Sequence, residues 1–172
     1  MNVSNLIDSL ERFGRLLPAV VAGISDADSR WKAPDRAWSI LEIVCHLADE
    51  EEFDFRERIR LTLTDPTIHW PPLDPEGAAV VKRYNEGDLA EAAARFSRLR
   101  SESVAWLRSL VNPDWTRTYQ HPQFGPFPAG DLFAAWTAHD ALHLRQIAKR
   151  MYQMSVRDAE EFSTRYAGEW KE

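Results

Sequence analysis

Apolar residues recur every three to four positions along four long stretches of the chain, which is the spacing of one face of an α-helix. These stretches cover residues 4–22, 39–63, 88–110 and 131–153. The alternation of apolar and polar residues that is typical of β-strands is almost absent. The pattern therefore predicts an all-α protein, an antiparallel four-helix bundle whose helices have roughly 20 residues each.

Residues at the ends of these stretches support the same helices. Ser39 is followed three positions later by Glu42, the spacing of a capping box, and Asp88 is a suitable N-cap for the third helix. The connections are long, and the one at residues 114–130 is rich in proline and glycine, so we expect it to be irregular. A weak pattern within residues 156–166 is compatible with a short C-terminal helix.

Length and charge narrow the classes of function. The chain of 172 residues predicts one domain, residues 1–172, and the single Cys45 permits no internal disulfide. No secretion signal or bilayer-spanning stretch is recognisable, which predicts a cytoplasmic protein that is not bound to a membrane. The net charge is −6, and the clearest charge run, residues 49–52, is acidic, which argues against a nucleic-acid partner.

Two histidines on the fourth helix are the strongest chemical signal. His139 and His143 are four residues apart, so both imidazoles project from one helical face, together with the apolar residues Leu132 and Trp136. They could share a metal ion, or they could be core histidines satisfied by hydrogen bonds. His46 on the second helix offers a third ligand, and three histidines with an open fourth position are typical of catalytic zinc.

Other residues near this trio are candidates for the surrounding pocket. Asp49 and Glu50 follow His46 by one turn, where either could orient a metal-bound water or an imidazole, or belong to a solvated acidic face. Trp38 and Trp136 could wall a pocket beside the metal. Cys45 is expected to be a small buried residue.

The two remaining histidines, His69 and His121, fall in predicted loops. We expect them to be loop residues and not metal ligands, although the loop that carries His121 leads directly into the fourth helix.

Residues 38–49, 139–147 and 121–125 together resemble the DinB-like (DinB/YfiT) superfamily of metalloenzymes, and the likeness extends over nearly the whole chain. The resemblance implies a four-helix bundle, commonly a homodimer, that holds a divalent metal through one histidine of the second helix and two of the last. The ligands would then be His46, His139 and His143. Zinc and nickel are the favoured ions, because imidazole suits both.

The resemblance also suggests an activity. Members of the superfamily include thiol S-transferases that use bacillithiol, mycothiol or glutathione, and a mycothiol-dependent maleylpyruvate isomerase. The leading hypothesis is a metal-dependent S-transferase or a hydrolase-like enzyme that acts on a small-molecule substrate with a low-molecular-weight thiol as cofactor. The alternative is a non-catalytic metal-binding bundle that serves stress response through dimerisation or partner binding. A fourth coordination position that is open to solvent would favour the enzyme.

Overall fold

Four long helical stretches dominate the computed structural model, which describes residues 1–34 and 37–171. The helices are α1 Val3–Val21, α2 Asp26–Arg30, α3 Ile40–Asp49, α4 Phe55–Thr64, α5 Pro75–Val81, α6 Leu89–Ser109 and α7 Ala129–Asp158. The second predicted helix is α3 followed by a π-helical segment, Glu50–Asp54, and then by α4. Short 3₁₀ turns lie at Tyr84–Glu86 and Arg165–Ala167.

The predicted caps are confirmed. The Ser39 hydroxyl accepts a hydrogen bond from the backbone N–H of Glu42, and the Glu42 carboxylate accepts one from the Ser39 N–H, which completes the capping box. The Asp88 side chain accepts from the N–H of Glu91 at the start of α6. Local chemistry thus sets where both helices begin.

Apolar side chains form two clusters along the bundle. The first joins α1, α3, α6 and α7 through residues such as Leu17, Val44, Phe96 and Ile147. The second joins α1, α4, α6, α7 and the segment before α7, through residues that include Leu10, Ile59, Val104, Phe133 and Trp136. Since α3 contributes to one cluster and α4 to the other, the π-helical segment lies at the change from the first cluster to the second.

The connections contain more structure than the sequence predicts. Within residues 114–130, strands β1 Thr118–His121 and β2 Gly125–Pro128 pair as an antiparallel hairpin, with Thr118 opposite Pro128. Expecting an irregular loop there was wrong, because each strand has only four residues and the proline-rich second strand hides the alternation.

Two short helices are also new. In the second long connection, Asp74 caps α5 and Pro75 occupies its first turn, a pairing that favours a helix start. Ser25 caps α2. At the C-terminus, α7 extends to Asp158. In place of the short helix expected within residues 156–166, the chain beyond α7 forms the 3₁₀ turn at Arg165–Ala167. Within the described chain, no helix combines the length and apolarity that a bilayer span requires.

Candidate metal centre

The packing of α3 beside α7 brings the three predicted ligands together. The Nε2 atom of His139 lies 3.4 Å from Nε2 of His46 and 2.9 Å from Nε2 of His143. One ligand nitrogen from each residue lies within 4.8 Å of the others. Nitrogens bound to one tetrahedral zinc at its usual bond length are about 3.3 Å apart, so the spacing suits a single ion.

The protonation of these imidazoles also suits a metal. Burial, together with the neighbouring His143, lowers the pKa of His46 and of His139 to about 3. Burial lowers the pKa of His143 as well. All three rings are therefore neutral at pH 7, and the neutral imidazole is the form that binds metals.

An outer hydrogen bond fixes one ring. The Nδ1 atom of His143 lies 2.8 Å from Oε1 of Gln146, an oxygen that can only accept, so Nδ1 carries the proton and the Nε2 lone pair faces the other histidines. A cation placed between the converging nitrogens would turn these lone pairs into ligand bonds. The donor set thus fits a divalent ion such as zinc or nickel.

No further His, Cys, Asp or Glu joins the three histidines within residues 1–34 and 37–171. The cluster of potential ligand atoms contains the three histidines alone, without an added carboxylate or thiol. The Glu50 carboxylate approaches the outer side of His46, with Oε1 3.5 Å from Nδ1. An ion held by the three histidines would receive no fourth ligand from another His, Cys, Asp or Glu of the described residues, which is the arrangement of catalytic zinc sites.

The three histidines line a cleft of about 1150 Å³. The Trp38 ring lies 4.8 Å from the His46 ring, and the Phe55 ring lies 5.1 Å from that of His139. Leu73, just before α5, and Val80, within α5, also line the cleft. The cleft is thus lined by the polar histidines together with aromatic and aliphatic side chains, as small-molecule sites commonly are.

The four predicted pocket residues have different positions. Trp38 and Glu50 line the cleft, whereas Asp49 and Trp136 do not. Asp49 is bound by Lys82, Tyr84 and Arg95, with 2.7 Å from Arg95 Nη1 to Asp49 Oδ1. The Trp136 ring stacks on Phe55 with 5.7 Å between centroids. Trp136 therefore supports the wall of the cleft from behind.

The acidic run is mostly buried, which the sequence did not indicate. Asp49, Glu50 and Glu51 are all buried, although each points to a different neighbour. Glu50 lies beside His46, and burial together with the Asp54 carboxylate raises the pKa of Glu50 above its usual range. A solvated acidic face is therefore the wrong interpretation of these positions.

Glu51 belongs to an ionic cluster that holds four elements together. Arg100 of α6 donates to Glu51 at 2.7 and 2.9 Å, to Asp140 of α7 at 2.6 and 2.8 Å, and to the Leu10 carbonyl of α1 at 3.0 Å. The Trp136 indole N–H also donates to Glu51, at 2.8 Å. The cluster fixes α7 close to His139, and it was not recognised in the sequence because its members are far apart along the chain.

The residues set aside as ligands lie elsewhere. Burial raises the pKa of the Cys45 thiol to about 11, and Cys45 does not line the cleft. His121 lies at the end of β1, where its Nδ1 accepts the backbone N–H groups of Gln123 and Phe124. The Nδ1 atom of His69 lies 3.5 Å from the Tyr119 hydroxyl.

Comparison with known proteins gives a consistent result. The sequence profile of the DinB superfamily matches residues 9–147. YfiT of Bacillus subtilis is 25% identical over 149 residues, and a protein of Bacillus pumilus is 24% identical over 148 residues. Each match covers 84% of this chain and 83% of the relative. Both relatives are named, provisionally, as metal-dependent hydrolases.

The fold is shared as well. The solved structure of YfiT from Bacillus subtilis superposes with a TM-score of 0.80 at 23% identity, over 89% of this chain and 87% of that one. It is described as an unusual four-helix bundle. The four-helix bundle predicted from the sequence is confirmed.

Proposed function

The chain belongs to the DinB superfamily, and from that membership and the geometry of the cleft we propose that it is a metal-dependent hydrolase of a small molecule. The observation that carries the proposal is the trio of neutral imidazoles with no fourth protein ligand among the described residues. A structural site would instead be closed by a fourth side chain.

The residues of the cleft have different roles in this proposal. His46, His139 and His143 would hold the ion. A divalent ion in this position supplies a Lewis acid and lowers the pKa of the water or thiol that it binds. Glu50 faces the outer nitrogen of His46 and Gln146 that of His143, and such contacts keep imidazoles in the orientation that binds metal.

A second candidate, a thiol S-transferase, is favoured by the size of the cleft. Pockets for one ligand typically measure about 300–1,000 Å³, so a cleft of about 1150 Å³ could hold a thiol cofactor beside a substrate. The thiol would come from a small molecule such as glutathione, bacillithiol or mycothiol, since Cys45 does not line the cleft.

Metal analysis tests the site. Protein purified without a histidine tag and dialysed against zinc or nickel should retain about one ion per chain, the stoichiometry of a single three-histidine site. His143→Ala should lose most of it, whereas His69→Ala, a histidine outside the cluster, should retain it. Unchanged metal content in His143→Ala would overturn the site.

Activity assays then separate the candidates. Hydrolysis of esters, amides or lactones in buffer, lost in His143→Ala and kept in His69→Ala, would support the hydrolase. Consumption of a chlorinated aromatic compound only when glutathione, bacillithiol or mycothiol is added would support the S-transferase. Metal binding without turnover in either assay would favour the non-catalytic bundle.

A further inference from the structure

The cleft that leads to the histidines has acidic walls. Five carboxylate residues line it, against two cationic residues among the described part of the chain. The carboxylates are Glu42, Glu50, Asp54, Asp74 and Glu76, and the cations are Lys32 and Arg150. A cleft with such an excess of one sign attracts ligands of the opposite sign.

Ion pairs neutralise only part of this charge. Lys32 Nζ lies 2.7 Å from Oε1 of Glu42, and the Asp54 carboxylate is paired with Arg58 at 2.7 Å. The Nε–H of Arg150 donates to the backbone carbonyl of Trp38. These contacts hold the cations against the protein.

Two carboxylates of the cleft lack such a partner. Within residues 1–34 and 37–171, no Lys or Arg lies within 4 Å of the carboxylates of Asp74 or Glu76. Glu50 is buried beside His46, and burial together with Asp54 raises its pKa to about 9, so this carboxyl is protonated at pH 7. Asp74 and Glu76 are exposed and lie at the start of α5. The unpaired negative charge of the cleft therefore lies at Asp74 and Glu76.

The same walls expose apolar surface. Val80 of α5 is 76% exposed and Leu73 is 36% exposed, although both line the cleft. Trp38 and Phe55 line the same cleft, with their rings beside those of His46 and His139. Exposed apolar side chains grouped at a concave site indicate an apolar ligand surface.

A smaller cavity shows how this environment holds a cation. It measures about 490 Å³ and shares His46, Glu50, Leu73, Asp74 and Pro75 with the main cleft. In it, the Lys82 ammonium lies 4.5 Å from the centroid of the Phe53 ring and pairs with Asp49. An aromatic face beside a carboxylate is a good site for an organic cation.

We propose that the substrate is an organic cation, with an apolar body between a hydrolysable group at the histidines and an ammonium or guanidinium group near Asp74 and Glu76. The reaction itself rests on the proposed function, whereas the charge preference rests on the walls of the cleft.

A binding experiment tests the preference without turnover. Phenyltrimethylammonium, its neutral isostere tert-butylbenzene and the anion benzenesulfonate would be titrated by ligand-detected NMR against the protein as purified. The quaternary cation cannot coordinate a metal, so its affinity reports on the walls. We expect it to bind about fivefold more tightly than the neutral isostere at low salt, and we expect this advantage to shrink as salt screens the carboxylates.

Paired variants locate the effect. In Asp74→Asn/Glu76→Gln the side-chain volumes and the helix cap are retained, and the preference for the cation should disappear while tert-butylbenzene binds as before. Glu160→Gln/Glu161→Gln removes the same charge from exposed positions outside the cleft and should keep the preference.

Equal binding of the cation and its isostere by the unmodified protein, tighter binding of the anion, or equal loss in both paired variants would overturn the proposal. Failure of the metal or turnover assays would instead overturn the proposed function, because the titration depends on neither.

Discussion

Removing the Arg100 guanidinium should destabilise the fold severely. Its five N–H donors are all used, four on the carboxylates of Glu51 and Asp140 and one on the Leu10 carbonyl. The residue is 2% exposed, and the two carboxylates are 0% and 4% exposed. Arg100→Met would leave both carboxylates buried and without a cation.

The expected cost follows from that burial. Four charge-assisted hydrogen bonds at about 1.5–3 kcal/mol each would suggest up to about 12 kcal/mol, but desolvation of the charges offsets most of this sum. Breaking a buried ion pair by removing one partner typically costs about 3–5 kcal/mol. We expect Arg100→Met to lower the free energy of unfolding by that amount, a large fraction of the stability of a domain.

Urea denaturation followed by circular dichroism at 222 nm measures this loss. Arg108→Met is the matched control, because Arg108 pairs with Asp8 and Glu11 at the surface and should cost less than about 1 kcal/mol. Arg100→Met combined with Glu51→Gln and Asp140→Asn should recover much of the loss, because no buried charge then lacks a partner. A change below about 1 kcal/mol in Arg100→Met would refute the reasoning.

Three further substitutions test a helix cap, a close contact in the core and a hydrogen bond to a proposed metal ligand. Ser39→Ala removes the capping box of α3 and should cost about 1 kcal/mol in the same urea assay, whereas Ser101→Ala on the exposed face of α6 should have little effect. In Gly14→Ala the new methyl group would lie 2.8 Å from Cγ of Arg100. We therefore expect the free energy of unfolding to fall by about 1–3 kcal/mol, although alanine has the better helix propensity. A gain in stability would contradict this packing. Gln146→Ala removes the hydrogen-bond partner of His143 Nδ1 and should weaken zinc binding about 10–100-fold in a chelator competition. His69→Ala is the control. Unchanged affinity in Gln146→Ala would show that this contact does not orient the His143 ring.

The sequence predicted the helices well because their signals are local. The apolar spacing and the caps at Ser39 and Asp88 lie within the segments that they define, so the starts of α3 and α6 agree with the prediction. The shared face of His139 and His143 also followed from their spacing, whereas the assignment of His46 as the third ligand depended on the family resemblance. The geometry of a helical face needs no knowledge of distant residues.

The buried acidic run could not be predicted in this way. From the sequence alone, Glu51 is expected to lie at the surface, because its partner Arg100 is 49 positions away in the sequence. Asp49 likewise depends on Lys82, Tyr84 and Arg95, which are 33 to 46 positions away. Burial of a charge is decided by its partners, and the partners are brought together only by tertiary packing.

The π-helical segment is a part of the chain in which an inserted residue should not be tolerated. Three consecutive residues at its start reach three different neighbours: Asp49, the last residue of α3, reaches Tyr84, Glu50 faces His46, and Glu51 binds Arg100. An insertion of one further residue within Glu50–Asp54 would turn α4 by about 100° relative to α3 and move Phe55 and Ile59 out of the second apolar cluster. Insertions should therefore be tolerated in the largely exposed connection at residues 65–69 and rejected in the middle of the second long helix.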